Sequence, residues 1–215
     1  MRNLGALIRL QGCMPVDAMP FPEATEGETQ RIALGLHRMD AALISELVDR
    51  YQYRLVRYLI YITGRREHVE DLVQETWVRV LTRATQYGGR ARFETWLFSI
   101  AHNLAIDGMR KRQILSLDDS PTTASEGNAS ATLLAPLHSS PFLAAARGED
   151  AMRLAGALEL LDAKYREVLL LRFQEDLSLL EISKVVGVPV ATISSRIHRG
   201  LRLLRSHWKG DTSAS

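Results

Sequence analysis

From Asp40 onward the apolar residues recur at steps of three and four. Leu43, Ile44, Leu47, Val48, Tyr51, Leu55, Tyr58, Leu59 and Ile62 trace one stripe, which predicts an amphipathic helix that ends at Gly64. A second helix is predicted over about 67–86, with Val69, Leu72, Val73, Val80 and Leu81 inward and Gly88 and Gly89 stopping it. A third apolar-periodic stretch runs from Phe93 to about Arg112 and carries Trp96, Leu97, Ile100, Leu104 and Ile106. Three helices of this length with short connections imply a compact bundle. Upstream, residues 1–38 lack a sustained period and hold Pro15, Pro20 and Pro22, so a loose, disordered N-terminal extension is expected there.

The pattern breaks after the third helix. Residues from Ser116 to about Arg147 are rich in Ser, Thr, Ala and Pro, with almost no basic charge, and read as a flexible linker. Periodicity resumes near Gly148: Leu154, Leu158, Leu161 and Val168 to Leu171 predict two helices, and two more follow to about Trp208. No strand-like alternation occurs anywhere. The expected fold is all-α, two small helical domains joined by a flexible linker. Their boundaries are an extension at 1–38, a first domain at 39–113, a linker at 114–148, a second domain at 149–209 and a tail at 210–215.

Composition changes this picture only locally. Hydrophobic residues at 46% and charged residues at 24% describe an ordinary globular chain, and a net charge of +2 is uninformative about partners. The distribution is more telling: from Ala191 to Gly210 stand Arg196, Arg199, Arg202, Arg205 and Lys209 with no acid among them. A one-sign stripe of this kind is the electrostatic footprint of a nucleic-acid-binding helix. Cys13 is the sole cysteine, so neither an internal disulfide nor a thiolate zinc cluster is available within the chain. The first ten residues are too short and too interrupted for a signal peptide or a membrane span, and a cytoplasmic location without membrane insertion is expected.

The segment Leu177–Arg205 carries the strongest motif. Ser178 with Glu181 three residues on forms a capping box, flanked by Leu177 and Ile182 at hydrophobic-staple positions. Gly187 closes the short helix, and Pro189 sits where a second helix can begin. Helix, tight Gly-containing turn and helix make a helix-turn-helix. At ~100° per residue, Ile193, Ile197, Leu201, Leu204 and Trp208 fall in one narrow sector. Ser195, Arg196, His198, Arg199, Arg202 and Arg205 lie across the other half, with Leu203 the exception. Such a helix suits the major groove, its N-terminal residues at base edges and its later arginines on phosphates. A solvated face would mix both signs of charge; this one does not. The candidate DNA contacts are Thr192, Ser194, Ser195, Arg196, His198, Arg199 and Arg202.

Three runs in order carry a family resemblance. Glu70-Asp71-Leu72-Val73-Gln74-Glu75-Thr76-Trp77-Val78-Arg79-Val80 resembles the core-polymerase-binding motif of bacterial sigma factors. Phe93-Glu94-Thr95-Trp96-Leu97-Phe98-Ser99-Ile100-Ala101-His102-Asn103-Leu104-Ala105-Ile106-Asp107 resembles their reader of the minus-ten promoter element. The helix-turn-helix from Leu177-Ser178 through Gly187-Val188-Pro189 to Ser195-Arg196-Ile197-His198-Arg199-Gly200 resembles their minus-thirty-five reader. Together they identify the chain as similar to the sigma-70 family, extracytoplasmic-function subfamily.

The resemblance implies partners and sites. Asp71, Leu72, Gln74, Glu75 and Val78 would meet core RNA polymerase; Asp71, Gln74, Glu75 and Val78 follow the i, i+3, i+4, i+7 spacing of one helix face. Phe98, Ile100 and Asn103 would line a pocket for a base extruded from the melted non-template strand, which apolar side chains hold by stacking and Asn by its base edge. The loop carrying Tyr87, Arg90 and Arg92 would close over that base, and Asp107 belongs to the same matched run. Arg110, Lys111 and Arg112 are expected at the end of the third helix, where they suit its dipole and can hold phosphates. The family also implies double-stranded promoter DNA as a ligand and an anti-sigma factor as a regulator, with no cofactor.

Two rival classes make different predictions. An enzyme finds no support: the six His and scattered acids have no metal-ligand spacing, and no phosphate-binding Gly loop is present. A stand-alone helix-turn-helix regulator with a helical sensor domain predicts dimers on palindromic sites and tight DNA binding without a polymerase.

Overall fold

In the computed structural model, residues 26–118 and 149–210 are described. They form α1 (Glu26–His37), α2 (Ala41–Thr63), α3 (Val69–Thr82), a short 3-10 turn (Ala84–Gln86), α4 (Phe93–Asp118), α5 (Glu149–Glu159), α6 (Ala163–Phe173), α7 (Leu179–Val186) and α8 (Val190–Gly210). The described residues are helical with no strand, as the periodicity predicts.

Local chemistry fixes the helix ends. The Asp40 carboxylate accepts from the amides of Ala42 and Leu43 at the start of α2, and Gly64 closes that helix in the left-handed region at φ 67°. The apolar stripe of α2 is its buried face: Leu43, Leu47, Tyr51, Leu55, Tyr58, Leu59 and Ile62 all point into the core. Against it pack Val69, Val73 and Val80 of α3 and Phe93, Leu97, Phe98, Ala101 and Leu104 of α4. In the second domain, α5 to α8 enclose Leu154, Leu158, Leu161, Val168, Leu169, Leu171, Ile182, Val185, Ile193, Ile197 and Leu204. A methyl group on Gly200 would stand 3.1 Å from Leu169 Cδ1, so this glycine lets α8 lie close on α6.

Three expectations are corrected. Residues 26–37 are not part of a loose extension but form α1, which buries Thr29, Ile32, Ala33 and Leu36 against the first domain. The prolines that argued against order there all precede Glu26, and Ile32, Ala33 and Leu36 form a short i, i+1, i+4 stripe. The second helix ends at Thr82, with the 3-10 turn completing the stretch to Gln86. The third continues to Asp118, because no Gly or Pro interrupts residues 109–118. Arg110, Lys111 and Arg112 therefore sit inside α4 and do not meet its C-terminal dipole. Residues 114–118, expected in the linker, belong to α4; the rest of the linker to 148, the tail from 211 onward and residues 1–25 of the expected extension lie outside the described residues.

The two domains are in contact. α4 packs on α7 and α2 packs on α6, and the buried apolar cluster runs continuously from one domain into the other. Nothing in the local sequence pattern announces this arrangement.

Candidate polymerase and nucleic-acid interfaces

The helix-turn-helix has the predicted chemistry. Ser178 Oγ accepts from the Glu181 amide at 3.3 Å, and the Glu181 carboxylate accepts from the Ser178 amide at 2.8 Å. These two bonds satisfy orphan donors at the start of α7 reciprocally. Gly187 takes φ 73°, and Ser183 Oγ donates to the Val188 carbonyl at 2.6 Å, which pins the turn. Ile193, Ile197 and Leu204 of α8 are wholly buried and Leu201 nearly so. The opposite face offers Ser195, His198, Arg199 and Arg202 exposed and Thr192, Ser194, Arg196 and Arg205 half-exposed. Arg199 Nη1 donates to the Tyr165 hydroxyl at 3.4 Å, while among the described residues Arg196, Arg202 and Arg205 form no ion pair. Their guanidinium groups face outward on a helix held rigidly from behind.

On α3 the predicted face is also present. Asp71 and Glu75 have side-chain exposures of 77% and 47%, and Val78 remains 52% exposed although it is apolar. Gln74 lies between them and is exposed. Glu75 accepts from Arg79 Nε at 3.0 Å, and His68 Nδ1 stands 3.4 Å from Asp71. These surface pairs contribute little to stability. Leu72 departs from the expected set: it turns inward and packs on the core.

The residues expected around an extruded base do not assemble into an open pocket. Asn103 and Asp107 are exposed on α4, as are Arg110 and Lys111, with Arg112 half-exposed. Phe98 is wholly buried, its ring edge-on to Tyr58 at 5.0 Å, and Ile100 is buried as well. Tyr87 stacks among Phe93 and Trp96, and its hydroxyl donates to the Ala91 carbonyl at 2.8 Å. Burial, followed by the charge of Glu94, pushes its phenol well above the ordinary range. Arg90 is exposed, whereas Arg92 reaches the second domain and donates to the Asp176 carbonyl at 2.8 Å. In this arrangement Tyr87, Phe98 and Ile100 serve packing, and Arg92 serves the contact between domains.

That contact is the feature sequence reasoning missed. Glu175, 2% exposed at its side chain, receives Arg54 Nε at 2.6 Å and Arg57 Nη2 at 2.8 Å, both from α2. Glu167 Oε1 receives the Tyr58 hydroxyl at 2.8 Å and lies 2.7 Å from His102 Nδ1. Burial and then the Glu167 charge push the Tyr58 phenol far above its ordinary range, so it stays a donor. Thr95 Oγ1 donates to Glu181 at 3.1 Å, and Arg166 Nη1 donates to the Tyr61 carbonyl at 3.0 Å. Glu94 lies at the edge of the same network. Burial would raise its pKa, but its own backbone amide, Arg92, the Tyr51 hydroxyl and Arg54 outweigh that and hold it below the usual value.

Two helical domains, one presenting an acidic helix face and the other a helix-turn-helix with an acid-free outer face, define a DNA-binding protein that also offers a surface to a protein partner. Comparison with known proteins is more specific. Residues 47–114 match the model of Sigma-70 region 2, and residues 151–204 match that of Sigma-70, region 4. The chain is 30% identical over 166 residues to the ECF RNA polymerase sigma factor SigW of Bacillus subtilis, an alignment covering 77% of this chain and 89% of the relative. It is 31% identical over 172 residues to SigL of Mycobacterium tuberculosis, covering 80% and 92%. Among solved structures it is similar to CnrH in complex with the cytosolic domain of CnrY, with a TM-score of 0.58, 22% identity and coverage of 85% and 98%. It is likewise similar to RpoE in complex with the anti-sigma factor NepR from Bartonella quintana, with a TM-score of 0.58, 22% identity and coverage of 77% and 96%. These two likenesses show the fold alone. The chain belongs to the sigma-70 family, within its ECF group. It is a sigma factor, directing promoter-specific transcription initiation, and that family is in general not enzymatic. Among the described residues no helix is long and apolar enough to cross a membrane.

Proposed function

We propose that the chain divides its work between α3, α4 and α8. The exposed face of Asp71, Gln74, Glu75 and Val78 engages core RNA polymerase, its carboxylates meeting basic groups and Val78 adding an apolar contact. Asn103, Asp107, Arg110, Lys111 and Arg112 on α4, with Arg90 in the preceding loop, track the minus-ten region. Asn103 reads a base edge, and the cations hold phosphates. The α8 face from Thr192 to Arg202 enters the major groove at the minus-thirty-five element, with Ser195 and Arg196 near base edges and Arg199 and Arg202 nearer the backbone. The chain performs no catalysis itself; the polymerase supplies the chemistry. An anti-sigma factor is the expected regulator, since the similar RpoE structure is a complex with one.

The observation that carries this reading is the acid-free outer face of α8, backed by a buried apolar face and a pinned turn. It is tested by measuring promoter binding with and without core polymerase. Specific binding that appears only with core enzyme supports the reading. Tight, dimeric binding to palindromic DNA by the chain alone supports a stand-alone regulator instead.

A further inference from the structure

We infer that α1 is a positioning element for promoter reading: it seats the loop 87–92 between the 3-10 turn and α4, and so fixes where Arg90 meets DNA. The positioning half of this inference rests on the function proposed above; the seating of the loop does not.

The loop is held against α1 at two backbone points. His37, the last residue of α1, stands with Nε2 3.1 Å from the Tyr87 carbonyl. A carbonyl only accepts, so the ring nitrogen carries the proton and donates. Two residues on, Gly89 is buried at φ 67°, in the left-handed region. A Cβ there would stand 3.1 Å from the Thr29 carbonyl oxygen and 3.3 Å from the Ala33 Cβ, both on α1. The loop backbone therefore lies directly on the helix, in a conformation and at a distance that favour glycine. Gly88, by contrast, has nothing within 4 Å of where its Cβ would be. The close approach is specific to the residue that precedes Arg90.

α1 is itself fixed from the other side. Ile32, Ala33 and Leu36 are buried against the first domain. Arg31 donates to both oxygens of Glu46 at 2.8 and 3.0 Å, and Arg50 donates to Glu28 at 2.7 Å, which ties α1 to α2. These exposed pairs add little stability, but with the apolar stripe they set the register of α1 on α2. The rest of the loop is closed by its own aromatic: the Tyr87 hydroxyl donates to the Ala91 carbonyl at 2.8 Å, and its ring packs on Phe93 and Trp96 in the first turn of α4. Arg90 alone points its side chain well into solvent, since Ala91 and Arg92 are half-exposed and Tyr87 is buried. An unsupported loop with two glycines would sample many conformations, and an arginine on it would spend little time where DNA needs it. α1 removes that cost. The helix lies upstream of residues 47–114, which match Sigma-70 region 2, so the promoter-reading unit extends beyond the matched segment.

The test uses the full chain. Amide hydrogen exchange of the free protein reads the seating, and holoenzyme binding to two probes reads the positioning. Both probes come from a promoter that the parent holoenzyme transcribes. One has its minus-ten region single-stranded on the non-template strand; the other is a duplex carrying only the minus-thirty-five element. His37→Leu removes the donor and is expected to speed exchange across 84–92. It is also expected to weaken the minus-ten probe about fivefold, the factor that one ordinary hydrogen bond represents, and to leave the minus-thirty-five probe unchanged. His37→Gln keeps a donor at similar reach and is expected to restore both readings. Gly89→Ala is expected to have the larger effect, about tenfold on the minus-ten probe. A thermal melt shows whether that variant stays folded; where it does not, His37, which is exposed, decides. In an Arg90→Ala background His37→Leu is expected to add nothing further, because α1 acts through that side chain. Unchanged exchange across 84–92 in His37→Leu overturns the seating. Faster exchange with unaltered minus-ten binding, equal losses on both probes, or full additivity with Arg90→Ala overturns the positioning. If the parent holoenzyme transcribes no promoter, the proposed function fails and the positioning falls with it, while the exchange result stands.

Discussion

Replacing Glu75 by Arg separates what the α3 face does from what holds it in place. The Glu75 carboxylate is 47% exposed and, among the described residues, its one bond is to Arg79, itself 33% exposed, one turn along the helix. An exposed pair of this spacing is worth roughly 0.3–0.5 kcal/mol. Placing a second cation beside Arg79 adds a repulsion of similar size, so the total cost to folding is about 1 kcal/mol or less. For a domain of this size that lowers the melting temperature by no more than about 4–8 °C. Binding is affected far more. If this face meets basic groups on core polymerase, Glu75→Arg exchanges an attraction for a like-charge contact that costs several kcal/mol. At 1.4 kcal/mol per factor of ten, a loss of about 3 kcal/mol is roughly 100-fold in affinity. The assay is titration of labelled chain with core polymerase, alongside a thermal melt. A melt within a few degrees of the parent protein together with about 100-fold weaker association is the expected pair of results. An unchanged affinity would refute the assignment of this face.

Other variants address the remaining elements. Arg196→Ala is expected to weaken holoenzyme binding to specific promoters more than to random DNA. Arg205→Ala is expected to weaken both alike and to reduce the salt slope by about one, as anisotropy titrations across ionic strength would show. Leu36→Ala, at a position 1% exposed in α1, is expected to destabilise the first domain by about 2–4 kcal/mol in urea melts; a change within error would mean that α1 does not belong to the folding unit. Glu94 is held below its ordinary value of 4.5, so its contribution is complete above that value and is lost as pH falls through the depressed folded value. Glu94→Gln is therefore expected to lower the melting temperature at neutral pH and to flatten its decline on acidification, measured from about pH 7 to pH 3.

Most of the helices were legible because amphipathic spacing is local. The stripe from Leu43 to Ile62 and the caps Asp40 and Gly64 define α2 from sequence alone. The capping box at Ser178 and Glu181 does the same for α7, a helix of 8 residues that is too short to persist without its cap and its packing. The outward arginines of α8 followed from the angle between positions. α1 was missed because its apolar stripe is brief and stands just after three prolines, so its order comes from packing on α2 and on the turn at 84–86. The burial of Phe98 and Ile100 and the role of Arg92 depend on a neighbour far along the chain. Arg54 and Glu175 lie 121 residues apart, and no local period can pair them. Sequence reasoning had no means of seeing a second domain resting on α4.

The central claim is promoter specificity conferred on core polymerase. Run-off transcription from a library of promoter fragments, with purified bacterial core enzyme and with or without this chain, tests it most directly. Transcripts from a defined subset of promoters, present only when the chain is added and lost with Glu75→Arg, are the predicted result. No transcript above the core-only background, with tight binding of DNA by the chain alone, would contradict the account.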